Sequence, residues 1–171
     1  MNTLIVVVAQ DALYALVAVA GVVWLTRDRR GKGRLIAEGV VGLAFVGIGI
    51  WLAAHLHTDP RPFVHDPAST SLFPHAADNG FPSDHSVAAG LLTALVFRYQ
   101  KVLGVLVGVG AVLIGWARVA AHVHHAQDVV AGLCMGLAAG ALAVWTVHLL
   151  FTALSRRGSS AGPRGRTTAD G

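Results

Sequence analysis

The sequence predicts an all-α fold: a polytopic transmembrane helix bundle of about five spans, with its polar chemistry in an extracytoplasmic loop. Three observations lead there. Of 171 residues, 54% are hydrophobic and only 13% charged, with a mean hydropathy of +0.62, whereas soluble domains carry roughly 25% charged residues. The apolar residues fall into five runs separated by polar connections. Nearly all basic residues sit in 26–34, in 98–101 and in the C-terminal tail, three places that five spans put on one side of a membrane.

Residues 4–25 are apolar except for Gln10 and Asp11, and Arg27, Arg29, Arg30, Lys32 and Arg34 follow them. A cleaved signal carries its positive residues ahead of the apolar run, so this reads as a retained first span. Asp11 is expensive at membrane depth and is expected to face other helices. Residues 35–54 give about 30 Å of helix, enough to cross the hydrocarbon. Glu38 lies near their basic end, within reach of the interface. Residues 55–84 form a connection rich in His, Asp and Pro. The third run, 87–97, closes at Arg98 and Lys101; the fourth, 102–117, ends at Arg118; the fifth, 128–154, stops at Arg156-Arg157. The third and fourth, roughly 20 and 24 Å long, fall short of a core of about 30 Å. Their outer ends are therefore expected near headgroup depth, where irregular backbone must be buried or line a wet cavity. Gly104 with Gly108, and Gly132 with Gly136 and Gly140, are small-residue pairs suited to close helix packing.

The chain reads as one domain over 1–154 and a disordered cytoplasmic tail over 155–171, which has no apolar periodicity. Its net charge of +4 and pI near 10 do not point to nucleic acid, because the basic residues flank apolar runs with no interleaved aromatics. Membrane phospholipid is the expected counter-charge. The lone Cys134 excludes an intramolecular disulfide and reads as a packing residue. By the positive-inside bias the basic side is the cytoplasm. The connections 55–84 and 118–127 then face outward, with eight of the nine histidines, all but His148.

Three outward elements carry polar groups that an apolar bundle would not otherwise keep. One is Asp59-Pro60-Arg61-Pro62-Phe63, where two prolines stiffen the chain around a guanidinium. Another is the turn Pro82-Ser83-Asp84-His85, which opens a helix whose first amides lack intrahelical partners. The last is Arg118 followed by His124 and Asp128; the latter two are four apart and share a helical face. Two arginines, a hydroxyl and helix-start amides suit a phosphoryl group. A histidine steadied by a carboxylate can attack phosphorus, and a second can protonate a leaving oxygen.

Arg61-Pro62, Pro82-Ser83-Asp84-His85 and Arg118-x5-His124-x3-Asp128 together resemble the three-part signature of the type 2 phosphatidic acid phosphatase superfamily. Pro60-Arg61-Pro62-Phe63-Val64 and Pro74-His75-Ala76-Ala77-Asp78, leading into Phe81-Pro82-Ser83-Asp84-His85, are similar to its undecaprenyl pyrophosphate phosphatases of the bacitracin-resistance type. The resemblance implies that His124 is the nucleophile, Asp128 its orienting partner, and His85 the acid for the leaving group. Arg61, Arg118, Ser83 and the Asp84 amide would hold the phosphate. It implies no metal or other cofactor, an isoprenoid or phospholipid phosphate as substrate, and a bacterial inner-membrane location with the site facing out of the cytoplasm. It says nothing of oligomeric state. Ala54 stands where the superfamily has a lysine, so His55, His57 or His75 are auxiliary candidates. Ala117 replaces a usual serine, and Asp84 a commoner glycine.

Two other classes compete. His122, His124, His125 and Asp128, with His55 and His57, are a chemically suitable metal set, but this reading leaves both arginines idle. A transporter or other non-enzymatic bundle leaves the phosphate cradle without a purpose. His65, Asp66, His75 and Asp78 read most simply as solvated loop residues, with a headgroup contact open for His75 and Asp78.

Overall fold

The computed structural model describes residues 2–66 and 68–160, with side chains through 156. Seven helices appear among them: α1 (Asn2–Gln10), α2 (Ala12–Leu25), α3 (Arg29–Leu56), the single turn α4 (Pro62–His65), α5 (Asp84–Tyr99), α6 (Lys101–Ala120) and α7 (Ala126–Ser160). Most of the expected disordered tail, 161–171, lies outside the described residues.

By length and composition α3, α6 and α7 can each cross a membrane, and α1 with α2, bent by 43° at their break, gives a fourth if the pair is taken as one span. The bend falls at Gln10-Asp11, the two polar residues of the first apolar run. Asp11 does not bond a neighbouring helix as expected; it is exposed at the break. There its amide still donates to Val7 O, while its side chain caps nothing. At 16 residues, α5 is shorter than a full span, as its sequence predicts. In contrast, α6 runs 20 residues, about 30 Å. Arg118 prolongs this helix because its charge is met inside the protein rather than at the surface.

Around α5 the bundle is assembled. Leu16 and Val23 of α2 pack with Ala89 and Val96 of α5 and with Val107, Ala111 and Ile114 of α6. On its other side α7 comes close enough to leave no room for side chains. A Cβ on Gly90 would lie 2.6 Å from Leu133 O, and one on Gly132 2.8 Å from Ser83 O. A Cβ on Gly136 would overlap Val87 O. The glycine spacing is thus used for packing, as read from the sequence. Many large apolar side chains on the outer faces of α3, α6 and α7 are exposed, Leu43, Trp116 and Trp145 among them, which is the surface a lipid environment requires.

At the basic end, Asp28 caps α3 by accepting from Gly31 N at 2.9 Å. Glu38 does not reach the interface; it is fully buried. Arg34 Nε donates to its Oε1 at 3.1 Å and Tyr99 Oη to its Oε2 at 2.8 Å, so both carboxylate oxygens are satisfied. Cys134 is exposed rather than packed.

Candidate active site

The site is built where the connection 57–83 folds against the α6–α7 junction. Asn79 fastens the two arms of that connection together. Its Oδ1 accepts from Asp59 N at 2.9 Å and Phe81 N at 3.1 Å, and its Nδ2 donates to His57 O at 3.1 Å. Gly80 N donates to Asp59 O at 2.8 Å beside a single antiparallel bridge, Pro60 to Asn79. This brings the Gly80 carbonyl and Arg61 side by side. A Cβ on Gly80 would sit 3.1 Å from Asp59 O and 3.3 Å from Asp128 Oδ2, so the turn is as tight as a side-chain-free residue permits.

From the opposite direction, α6 delivers Arg118. The chain reverses after it through His122, whose φ of 59° is left-handed. This closes the helix with His122 N donating to Val119 O and Val123 N to Arg118 O. Two residues later His124 faces back toward Arg118, and α7 begins with Asp128 in its first turn.

His124 is the centre of the arrangement. Its Nε2 lies 3.2 Å from Arg61 Nη1 and 3.2 Å from Arg118 Nη2. Guanidinium only donates, so Nε2 is the lone-pair nitrogen and Nδ1 carries the proton. Nδ1 meets Gly80 O at 3.0 Å and Asp128 Oδ2 at 3.4 Å. The carboxylate expected to orient the ring therefore shares that task with a main-chain carbonyl. Asp128, itself fully buried, also accepts from His125 N at 2.8 Å and so fixes the start of α7.

Both arginines are buried and held from behind. Arg61 Nε donates to Asp78 Oδ1 at 2.7 Å and Nη1 to Val123 O at 2.8 Å. Arg118 Nη1 donates to Ala9 O at 3.3 Å, a carbonyl at the bend between α1 and α2, and Nη2 to His75 Nε2 at 3.0 Å. Arg118 Nε is buried without a partner among the described residues, a donor available to an anion.

Electrostatics keep the ring uncharged. Burial pushes the His124 pKa below the ordinary histidine value; Asp128 opposes this, and Arg118 and Arg61 reinforce it. Burial and the Arg61 charge lower His75 likewise. Asp78 is lowered too: burial raises its pKa, but the bond and charge of Arg61 outweigh it, and the net direction is down.

The other sequence candidates divide. His85 lines a cavity of about 380 Å³ with Arg118, His75, Tyr14, Gln10 and Asp11. Asp84 is exposed at the start of α5. Ser83 is fully buried; its hydroxyl accepts from Ser86 Oγ at 3.2 Å and its amide donates to Asp128 O at 3.1 Å. His55 and His57 lie apart from the arginines, His55 bonding Trp51 O at 2.7 Å and His57 edge-on to Phe81. His75, half-buried, contacts Arg118, and Asp78, exposed as read, also bonds Arg61.

The metal set expected as an alternative is divided: His125 and Asp128 stay together beside Asp59, while His122 and His124 are engaged elsewhere. His122 Nδ1 is within 2.9 Å of Ser69 Oγ, and His124 is engaged by the arginines. His125 and Asp128 of that set, with Asp59, have donor atoms within 4.8 Å of one another. Gln127 Nε2 donates to Asp59 Oδ2 there.

Sequence reasoning missed Asn79, the Gly80 carbonyl and the Ala9 carbonyl. The pair Asn79-Gly80 is a turn signal, which marks the bend but not the acceptor it presents.

Known proteins share this architecture. The chain is 31% identical over 143 residues to the undecaprenyl-diphosphatase BcrC of Bacillus subtilis, covering 83% of this chain and 72% of that protein. It is 30% identical over 150 residues to the bacitracin transport permease protein BcrC of Bacillus licheniformis, covering 88% and 73%. The crystal structure of a transmembrane PAP2-type phosphatidylglycerolphosphate phosphatase from Bacillus subtilis superposes with a TM-score of 0.54 at 21% identity, covering 88% of this chain and 76% of that one. The PAP2 superfamily model matches residues 12–152, a span that holds every residue bonded to His124, and the chain belongs to that superfamily.

Proposed function

We propose that this multi-pass membrane phosphatase removes the terminal phosphate of undecaprenyl diphosphate, releasing undecaprenyl phosphate and inorganic phosphate. One observation carries the reading: an uncharged imidazole nitrogen pointing between two guanidiniums, with its other nitrogen anchored by a carbonyl. In the reaction, Nε2 of His124 attacks the terminal phosphorus as the bond to the bridging oxygen breaks. Arg61 and Arg118 turn from the ring to the phosphoryl oxygens and neutralise the charge that spreads over them. His85, whose pKa burial and the Arg118 charge push down to about 4, takes up a proton as the anionic substrate offsets that charge and donates it to the departing lipid phosphate. The phosphohistidine then yields to water, whose proton His85 takes, and inorganic phosphate leaves. Gly80 O and Asp128 steady the Nδ1 proton while the ring is cationic.

The name of the Bacillus subtilis relative supports the diphosphate substrate, and so do Asp84 and the Pro74-His75-Ala76-Ala77-Asp78 stretch. Outward orientation follows from the basic residues at the far end of the helices, so hydrolysis occurs on the extracytoplasmic face of a bacterial inner membrane, with the C-terminus in the cytoplasm.

His124→Ala tests the chemistry. Turnover of undecaprenyl diphosphate by purified protein falls by about three orders of magnitude or more, and acid-labile phosphate on the protein is lost with it. Near-normal turnover in this variant removes the mechanism. Assayed beside phosphatidic acid and phosphatidylglycerol phosphate, the wild type prefers the isoprenoid diphosphate; the reverse ranking replaces the substrate and leaves the mechanism standing.

A further inference from the structure

Away from the candidate active site, at the opposite ends of α2, α3, α5 and α7, lies a second cavity of about 870 Å³. Arg27, Arg29, Arg30, Arg34 and Arg98 line it, with one carboxylate, Asp28, among them. That carboxylate is already committed to capping α3. Arg34 is paired with buried Glu38, but the other four arginines have no carboxylate partner among the described residues. Two are nevertheless held in place. Arg27 and Arg98 each set a guanidinium against the ring of Tyr99, at 5.9 and 5.7 Å from its centroid. Tyr99 is pinned through its hydroxyl to Glu38. The buried carboxylate thus acts at one remove, fixing the ring against which two like charges gather. Arg27 Nε is buried and has no hydrogen-bond partner among the described residues. Cations brought together in this way repel unless an anion sits between them.

A second cavity nearby narrows the kind of anion. About 270 Å³ in volume and almost wholly apolar, it is lined by Val17, Ala20, Trp24, Leu35, Ile36 and Leu95. On α2, α3 and α5 alike, its residues lie within about one helical turn of the basic ones: Trp24 before Arg27, Leu35 after Arg34, Leu95 before Arg98. A basic cleft next to an apolar slot matches a molecule with a phosphate at one end and a hydrocarbon chain behind it.

We propose that this pair of cavities binds an anionic phospholipid of the leaflet opposite the active site, its phosphate among Arg27, Arg34 and Arg98 and one acyl chain in the apolar slot. The site is separate from the catalytic residues and does not depend on which lipid phosphate the enzyme hydrolyses. Phosphate alone satisfies the arginines but not the slot, so the lipid and the free anion are distinguishable.

The test uses the full chain, purified in detergent and titrated separately with phosphatidylglycerol, phosphatidylcholine and inorganic phosphate. Lipid retention is read by native mass spectrometry and the thermal midpoint by unfolding. Phosphatidylglycerol is retained and raises the midpoint, phosphatidylcholine does neither, and any rise with inorganic phosphate, which the active site also takes as product, is unchanged in Arg27→Gln/Arg98→Gln. Arg27→Gln/Arg98→Gln weakens phosphatidylglycerol binding roughly thirtyfold, from about a fivefold loss for each basic residue removed. Equal retention of both lipids, a response to inorganic phosphate that the double variant abolishes, or undiminished phosphatidylglycerol binding in that variant overturns the proposal. Should the double variant not fold, wild-type protein crosslinked to a photoactivatable phosphatidylglycerol gives the answer. Label on α2, α3 and α5 near Trp24, Leu35 and Leu95 supports the site, and label confined elsewhere removes it.

Discussion

At His124 a single ring reads its two sides differently. One nitrogen is surrounded by donors that a phosphoryl group can displace, and the other by acceptors that stay. Because burial and two guanidiniums hold its pKa below the ordinary histidine value of about 6.5, the neutral ring persists through mildly acidic pH. Protonation of His124 therefore does not limit kcat/KM as pH falls through that value; the acid limb it produces lies lower, where the ring takes up a proton and loses its lone pair. Asp128 favours the charged ring, so Asp128→Asn moves the acid limb to still lower pH while reducing the maximum rate. A limb that shifts upward instead contradicts the placement of the carboxylate. Much of this was legible in the sequence, since an arginine, a histidine and an aspartate at fixed spacing have side chains that declare their chemistry. The Gly80 and Ala9 carbonyls were not legible, because every residue owns one and only the fold selects which are presented. The pairing of His75 with Arg118 and of exposed Asp78 with Arg61 was hidden for a related reason: a loop sequence does not reveal that it folds back onto two cations.

Among the helices, the contact between α5 and α7 positions the site most directly. It sets the start of α5, with Ser83 and His85, against the start of α7, with Asp128. Gly132 and Gly136 permit the approach, and Ser83 N to Asp128 O at 3.1 Å locks it. Gly136→Val drives the helices apart and lowers stability by about 1–3 kcal/mol, seen as a lower thermal midpoint and a parallel loss of turnover. Gly33→Ala is the matched control: nothing lies within 4 Å of a Cβ there, and both readouts hold. The five apolar runs and their order were evident from composition, but their limits were not. Hydropathy ends a span at the first charge, whereas Arg34 and Glu38 in α3, and Arg118 in α6, continue the helix because each finds a partner within the bundle. The bend at Asp11 was hidden for a similar reason, since a polar residue in an apolar run fits an interior contact as well as a break.

For the molecule as a whole, the two ends differ in how their charge is used. One end buries its arginines around a histidine and supports them with carbonyls and a carboxylate; the other keeps most of its arginines near the surface, as anionic lipid requires. A reporter active only outside the cytoplasm, inserted after Asp66, gives signal in cells, and one fused to the C-terminus does not; the opposite pattern reverses the proposed sidedness. A final consequence follows from the bond between Arg118 and the carbonyl of Ala9 at 3.3 Å. The amino-terminal helix is thereby tethered to Arg118, one of the two guanidiniums proposed to hold the phosphate, so where α1 ends helps to set where that donor points.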